Sequence, residues 1–193
     1  MIKKFTWPWE HYLVDNFLPN DILQGLKNLP VKSDNTNANG TRTNVTGRWF
    51  FTPDKTDSFT LNVVDWIIKH KSNFEADFNY DLSNSYLRVE LAKDDNGFFQ
   101  ERHLDTLEKR ITMIVFVSKE DDNVDLGTDA FVDDVSDEYK RAEWKDNRCF
   151  IFKPAEHTWH GFTKRNFVGE RRVLLINFVD KDQWNSKDQV WDT

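Results

Sequence analysis

The chain has 193 residues, which fits one domain of ordinary size and suffices to bury a core without a disulfide or structural metal. Its net charge of −7 argues against non-specific binding to nucleic acid or an anionic membrane, because both need clustered cations. No apolar run approaches the ~18 residues of a membrane span, the first residues lack the apolar stretch of a signal peptide, and one cysteine, Cys149, suits a reducing compartment. We therefore expect a soluble cytoplasmic protein with neither nucleic acid nor membrane as a partner. The sequence makes no prediction of its oligomeric state.

The first thirty residues predict a strand followed by a helix. Tyr12–Leu18 has the apolar pattern of a short strand. The cluster Pro19-Asn20-Asp21 is typical of a helix start, so a helix is expected over roughly Ile22 to Leu29, before Pro30 ends it.

A polar loop and a second helix are predicted next. Ser33–Thr46 is rich in Asn and Thr and contains an Asn-Gly pair, which indicates a loop and makes it a candidate lid. Residues Ser58–Phe74 place apolar side chains on one helical stripe, with Asp57 or Ser58 as the cap. We expect this helix to lie across a sheet.

From residue 84 onwards the pattern changes to short β-branched and aromatic runs separated by polar turns, as in a sandwich or barrel. The predicted strands are Tyr86–Leu91, Ile111–Val117, Cys149–Phe152 and Val173–Val179. The acidic stretch Val117–Glu138 indicates a hairpin with solvated loops. The polar tail Asp180–Thr193 carries Trp184 and Trp191 as candidate anchors. These elements predict helices packed on a predominantly antiparallel β domain.

Three residues have the chemistry of a metal site. His103 and Asp105 are two apart, so in a strand both project to one face and can reach one ion, although a His and an Asp at a strand end need no function. His160 offers a second imidazole, and two histidines with one carboxylate form the facial triad of non-haem Fe(II). The lack of cysteine pairs argues against structural zinc. His157, three residues before His160, is the alternative ligand and would face the opposite way in a strand.

The strand after Gly169-Glu170 begins with two arginines. Because this strand is apolar on both faces, an arginine buried there needs an anionic partner, and a guanidinium is well shaped to bind a carboxylate through two bonds. Alternation places Arg171 with Asn177 on a face suited to a cavity wall, and Arg172 on the face suited to packing under helices. In the alternative interpretation, both arginines cap the strand at the surface.

The order His103-x-Asp105, then His160, then Arg171 resembles that of the 2-oxoglutarate/Fe(II)-dependent oxygenases, and of their prolyl-hydroxylase-like branch in particular. The resemblance covers most of residues 10–180. Further matching segments are Leu87–Leu91, Asp94, Gly97-Phe98-Phe99, Ile111-Thr112-Met113, Leu126–Asp129, Phe152-Lys153-Pro154, Thr158–Phe162, Arg165 and Gly169–Val179.

The resemblance implies a mainly β fold with flanking helices, a double-stranded β-helix (jelly roll or cupin-like barrel). It implies a single oxygenase domain over 1–193, with helical support over about 10–80 and a β core over about 84–180. The implied ligands of Fe(II), and the catalytic residues, are His103, Asp105 and His160. The implied cosubstrates are 2-oxoglutarate and O2, with ascorbate as a candidate reductant.

Two residues are implied to bind the cosubstrate. Arg171 would pair with the far carboxylate of 2-oxoglutarate, with Arg172 as the alternative, and Thr112 would touch the cosubstrate. Val173 is a departure, because this branch often has there a serine that helps to hold that carboxylate.

The implied reaction is hydroxylation of a C–H bond in a peptidyl (proline-like) residue, an amino acid or a small metabolite, with release of succinate and CO2. Nucleic-acid demethylases of the superfamily carry a second arginine where this chain has Asn177, which argues against a nucleic acid as the substrate.

Arg88 and Glu90 share a strand face and either line the substrate mouth or form an ion pair on the sheet. The alternative functions are a cupin-like metal or ligand-binding module without turnover, and a structural jelly roll.

Overall fold

The computed structural model describes residues 1–30, 45–51, 55–118, 125–186 and 190–193. Over these residues the chain forms three helices and eleven strands. The helices are α1 Asn20–Asn28, α2 Ser58–Lys69 and α3 Lys71–Phe78. The strands are β1 Ile2–Phe5, β2 His11–Asp15, β3 Val45–Phe51, β4 Ser85–His103, β5 Lys109–Val117, β6 Thr128–Phe131, β7 Tyr139–Ala142, β8 Arg148–Phe152, β9 His160–Phe162, β10 Arg171–Asp180 and β11 Trp191–Asp192.

The described strands form one curled antiparallel sheet in the order β1-β2-β8-β5-β10-β4-β9-β6-β7, and β3 and β11 also pair with β4. Every strand pair within the described ranges is antiparallel. Many strands that are neighbours in this order are far apart along the chain, as a jelly roll requires. The predicted fold class, mainly β with flanking helices and a jelly-roll architecture, is therefore confirmed.

The sheet has a helix-covered face and an inward face, as strand alternation requires. One apolar cluster contains Leu174 and Ile176 of β10, Ile67 of α2 and Leu26 of α1. Val173, on the other face of β10, belongs to a second cluster. The fully buried aromatic members of that second cluster are Phe116, Phe150 and Phe152.

The predicted helix over Ser58–Phe74 is two helices in the structure. Asp57 caps α2 as expected, its carboxylate accepting a hydrogen bond from the Thr60 amide (2.7 Å). The helix stops at His70, whose ring stacks on Trp66 and whose Nδ1 lies 2.7 Å from the Trp66 carbonyl oxygen. A new helix, α3, starts at once, and its Phe74 stays buried because it continues the apolar stripe.

Two other boundaries differ from the sequence-based prediction. The strand predicted over Tyr12–Leu18 is β2 and ends at Asp15, and α1 starts earlier than predicted, at Asn20. The predicted loop Ser33–Thr46 lies outside the described residues except for Val45 and Thr46, which begin β3.

The strand predicted over Tyr86–Leu91 is much longer and runs on to His103 as β4. The polar run from Lys93 to Asn96 resembles a turn in the sequence, yet it lies within β4. Its first two residues, Lys93 and Asp94, pair with β10 and β3, and the charge of Asp94 is neutralised inside the sheet. This continuation carries the chain from the core to the first candidate metal ligand.

The chain closes with two short pairings. β6 and β7 form a hairpin whose turn lies between Phe131 and Tyr139, so β7 lies beyond the stretch Val117–Glu138 in which a hairpin was predicted, and β6 is buried along its whole length. Trp191 pairs with Leu87 of β4 and anchors the tail, as predicted. None of the described helices is long and apolar enough to cross a membrane.

Candidate active site

His103, Asp105 and His160 come together at the mouth of the curled sheet. His103 ends β4, His160 begins β9, and the two are register partners across the β4–β9 pair. Their ring centroids are 4.3 Å apart, and Asp105 follows β4 by two residues. One ligand atom from each of the three residues lies within 4.8 Å of the others. The strand pairing therefore builds the cluster that the sequence predicted.

Gly161 allows this close strand approach. A Cβ atom at residue 161 would lie 2.8 Å from the carbonyl oxygen of Gln100 on β4, closer than any real contact. Only glycine lets β9 approach β4 so closely directly after His160.

Backbone carbonyls fix the tautomer of both histidines. Nδ1 of His103 lies 3.0 Å from the Glu101 oxygen, and Nδ1 of His160 lies 3.0 Å from the Thr158 oxygen. Because a carbonyl oxygen can only accept, each Nδ1 carries the proton and each Nε2 keeps its lone pair. Both rings thus present the atom that a metal needs.

The imidazoles are held neutral. Burial, together with the neighbouring His160, lowers the pKa of His103 to about 3. Burial likewise lowers the pKa of His160, and nearby Asp105 only partly offsets this. Neutral imidazole is the form that ligates a metal.

Asp105 is ionised and oriented by two donors. Lys109 Nζ donates to its Oδ1 (2.6 Å), and Thr112 Oγ1 donates to its Oδ2 (2.6 Å). Burial opposes ionisation, but nearby charge, with Lys109 the largest contributor, and the two hydrogen bonds together outweigh it and hold the pKa of Asp105 below its ordinary value. Two neutral imidazoles and one carboxylate are a donor set that fits Fe(II).

The predicted anionic partner of Arg171 is Asp94. Arg171 Nη1 lies 2.6 Å from Asp94 Oδ2, and Arg48 of β3 holds the same carboxylate through Nε (2.5 Å) and Nη2 (2.8 Å). Arg171 also donates to the Leu126 oxygen (2.7 Å) and to Thr128 Oγ1 (3.3 Å). Two buried cations, Arg48 and Arg171, thus meet at one buried anion, Asp94.

Arg171 is surrounded by aromatic rings as well as polar groups. Its guanidinium lies 4.8 Å from the centre of the Phe162 ring and 5.5 Å from that of Trp144. Burial lowers its pKa to about 10 in spite of the opposite charge of Asp94, so the side chain stays cationic at neutral pH. The site is a rigid, buried cation of the kind that selects a carboxylate.

A cavity of about 310 Å³ joins the metal-ligand cluster to Arg171. Its wall includes the β10 face predicted from alternation: Arg171, Val173, Leu175 and Asn177. The same wall continues on the two strands that flank β10, with Thr112 and Ile114 on β5 and with Arg88 and Glu90 on β4. The cavity therefore has an arginine end, an apolar middle and a second polar end beside the cluster.

The structure separates the predicted candidates from their alternatives. His157 is exposed in a turn and does not line the cavity, whereas His160 is buried in it. Arg172 lies on the opposite face and donates to the oxygens of Leu26 (3.1 Å) and Leu29 (2.7 Å) at the end of α1.

Two residues that contact the side chains of the candidate site, Lys109 and Arg48, were not predicted from the sequence. Lys109 lies four residues after Asp105 and forms an ion pair with it. This spacing predicts a salt bridge on a helix, but it makes no such prediction outside one. Arg48 lies just past the polar stretch predicted as a loop, and no local pattern marks it as a buried residue.

No protein-family model matches the sequence, and no curated protein matches it. Solved structures do match. A prolyl-4-hydroxylase from Pseudomonas putida superposes with a TM-score of 0.65 at 14% identity, covering 88% of this chain and 92% of that one. A viral collagen prolyl hydroxylase of Paramecium bursaria Chlorella virus-1, solved as a 2-oxoglutarate complex, gives 0.61 at 16% identity, covering 88% and 96%.

A third match is a prolyl hydroxylase from Trichoplax adhaerens, solved with a peptide fragment of the hypoxia-inducible-factor oxygen degradation domain. Its TM-score is 0.61 at 14% identity, covering 89% of this chain and 84% of that one. These prolyl hydroxylases belong to the 2-oxoglutarate/Fe(II) oxygenase superfamily. The resemblance indicated by the sequence is thereby confirmed at the level of the fold: the chain has the fold of the prolyl hydroxylases of this superfamily.

Proposed function

We propose that the protein is a non-haem Fe(II) and 2-oxoglutarate-dependent dioxygenase that hydroxylates a C–H bond of a peptidyl residue, an amino acid or a small metabolite. The observation that carries the proposal is one cavity lined by the cluster His103, Asp105 and His160 and by the buried cation Arg171. A structural jelly roll needs neither feature, and a simple metal-binding module does not need the arginine.

The cluster is suited to hold Fe(II). Nε2 of each histidine and a carboxylate oxygen of Asp105 would be the three ligands, with Lys109 and Thr112 orienting the carboxylate. When bound, Fe(II) with O2 supplies the oxidative decarboxylation of 2-oxoglutarate to succinate and CO2 that drives the hydroxylation. This chain contributes the ligand positions, fixed by the carbonyls of Glu101 and Thr158.

Arg171 is suited to hold the far carboxylate of 2-oxoglutarate. A guanidinium has five N–H donors, and those of Arg171 reach Asp94, Leu126 and Thr128 one bond each, so donors remain for a ligand. Asp94 and Leu126 keep its plane fixed. Thr128 lines the same cavity and adds a hydroxyl beside the guanidinium.

The middle of the cavity is apolar. Val173, Leu175 and Ile114 line it between the arginine end and the metal-ligand cluster. Apolar side chains lower the effective dielectric constant around both ends of the cavity, which strengthens the charge interactions there.

The proposal is tested by turnover of 2-oxoglutarate in the absence of a known substrate. We expect slow, Fe(II)-dependent succinate formation by the wild type that is abolished in Asp105→Ala and retained in Asp95→Ala, an aspartate on β4 outside the cavity. Succinate formation at the Asp105→Ala level in the wild type would contradict turnover and would favour the cupin-like binding module.

A further inference from the structure

The cavity has a second charged end that the proposed chemistry does not use. Arg88 and Glu90 lie two apart on β4, each 7% exposed, and Arg88 Nη2 is 2.5 Å from Glu90 Oε1. Both line the cavity, together with Asn177 of β10 and Trp184 of the tail. The pair therefore faces the space that a ligand would occupy, unlike an ion pair on the outside of a sheet.

The guanidinium of Arg88 is incompletely bonded. Its Nε is buried and has no hydrogen-bond partner in the part of the chain that the structure describes. Its bond from Nη1 to the Asn177 oxygen is long, at 3.3 Å. A buried cation with an idle donor costs stability, so a purely structural role gives no reason to keep it in a cavity wall.

Hydrogen bonds connect this pair to the candidate metal ligand. Arg88 donates to the Asn177 side-chain oxygen, Asn177 Nδ2 donates to Thr112 Oγ1 (3.0 Å), and Thr112 donates to Asp105 Oδ2 (2.6 Å). Each of these three hydrogen bonds has a defined donor and a defined acceptor, so the four side chains are fixed relative to one another. A ligand bound at Arg88 is consequently positioned against the metal-ligand cluster.

This end is separate from the arginine end assigned to 2-oxoglutarate. Arg171 and Asn177 are six residues apart on β10, which places their Cα atoms about 20 Å apart at roughly 3.3 Å per residue. Apolar Val173 and Leu175 lie between them on the same face. One dicarboxylate cannot occupy both ends, so the second end is available for the substrate.

We infer that the Arg88–Glu90 pair recognises the substrate, and that the substrate is a free α-amino acid, its carboxylate bound by Arg88 and its ammonium by Glu90. The inference rests on the proposed function. A zwitterion places a carboxylate beside the Arg88 guanidinium and an ammonium beside the Glu90 carboxylate, so both charges of the pair meet an opposite charge, whereas a singly charged ligand matches only one of them. A residue inside a peptide has neither charge on its own backbone.

Trp184 fits the same role. It lines the cavity, and the Arg88 guanidinium lies 5.8 Å from its ring centre. An indole in this position covers the apolar part of a small ligand while leaving its charged end to the pair. The cavity, at about 310 Å³, is near the lower end of ligand-pocket volumes and must also hold the cosubstrate, which favours a small substrate.

The test uses the full-length protein loaded anaerobically with Fe(II) and 2-oxoglutarate. Free standard L-amino acids, and for each its N-acetyl amide, are titrated while heat and the metal-to-cosubstrate absorption band are followed. We expect at least one free amino acid to bind, and its blocked counterpart to bind at least about tenfold more weakly, because blocking removes both charges.

The variants Arg88→Gln and Glu90→Gln should each weaken binding about tenfold or more while keeping the absorption band, with Arg88→Lys intermediate because it keeps the charge and loses the planar fork. The matched control is Lys93→Gln, a charged residue of the same strand that pairs with Asp95 outside the cavity. Failure of every free amino acid to bind, equal binding of blocked forms, or equal effects of Arg88→Gln and Lys93→Gln would overturn the inference. An absent band in the wild type would instead overturn the proposed function.

Discussion

Asp94 and Arg171 are register partners on β4 and β10, and their side chains meet at 2.6 Å at the buried end of the cavity. Arg48 holds the same carboxylate from the other side. The relationship explains how a cation that is 2% exposed can be kept in the wall of a cavity. Asp94 positions the guanidinium of Arg171 and stabilises its charge inside the sheet.

Removing the charge of Asp94 should destabilise the fold strongly. In Asp94→Asn, two buried guanidiniums lose their shared anion, and breaking a buried ion pair costs about 3–5 kcal/mol. Urea unfolding measures the loss. The neighbouring Asp95→Asn, whose side chain is 44% exposed, should change the free energy of unfolding by no more than about 0.5 kcal/mol. Equal effects of the two variants would show that Asp94 is not the buried counter-charge.

Removing the hydroxyl of Thr112 should weaken metal binding without unfolding the protein. Thr112→Val keeps the shape but loses the bond to Asp105 Oδ2 and the acceptor for Asn177. Loss of a group that orients a metal ligand typically costs about 10–100-fold in affinity, which anaerobic Fe(II) titration measures. Thr163→Val, at an exposed position, serves as the control. Unchanged Fe(II) affinity in Thr112→Val would contradict the assigned role.

Replacing Val173 should strengthen cosubstrate binding. Val173 lines the cavity on the same face as Arg171, and Val173→Ser would add a hydroxyl donor near the far carboxylate. One such hydrogen bond contributes about 1 kcal/mol, or roughly a fivefold gain in 2-oxoglutarate affinity. Val179→Ser, in the same strand but outside the cavity, should bring no gain. A weaker or unchanged affinity in Val173→Ser would argue that the carboxylate lies elsewhere.

The metal-free protein should lose stability in mild acid, partly through a histidine outside the site. Burial among Phe5, Trp9 and Phe150 lowers the pKa of His11, so below about pH 6.5 the unfolded chain binds a proton that the native state does not. Stability then falls as the pH falls, by up to about 1.4 kcal/mol per pH unit for each such histidine.

The variant His11→Phe should therefore reduce this slope, with His103 and His160 supplying the remainder. Urea unfolding at a series of pH values between about 6.5 and 5 measures it. Thr163→Val, which changes no ionisable group and lies at an exposed position, should leave the slope as in the wild type. The explanation fails if His11→Phe has the wild-type slope.

The sequence predicted the parts of the site whose signal is local. Alternation in β10 placed Arg171 and Asn177 on the cavity face, and the spacing of His103 and Asp105 indicated a shared ion, because a period of two is readable from a single strand. The burial of Arg171 likewise called for an anion, which is Asp94.

What the sequence did not reveal depends on long-range pairing. The polar run from Lys93 to Asn96 has a turn's composition, yet it lies within β4, where Arg48 and Arg171 neutralise Asp94. Lys109 reaches Asp105 because of the chain reversal between β4 and β5, not because of any strand pattern. Neither fact follows from periodicity, since each needs partners distant in the chain or a tertiary turn.

The most direct test of the proposed site is an anaerobic titration with Fe(II) and then 2-oxoglutarate, following the visible charge-transfer band between metal and cosubstrate. The wild type and His157→Ala should show the band, His160→Ala should not, and in Arg171→Ala it should need much more 2-oxoglutarate. A wild type without the band, or a band that survives in His160→Ala and is lost in His157→Ala, would contradict the assigned site.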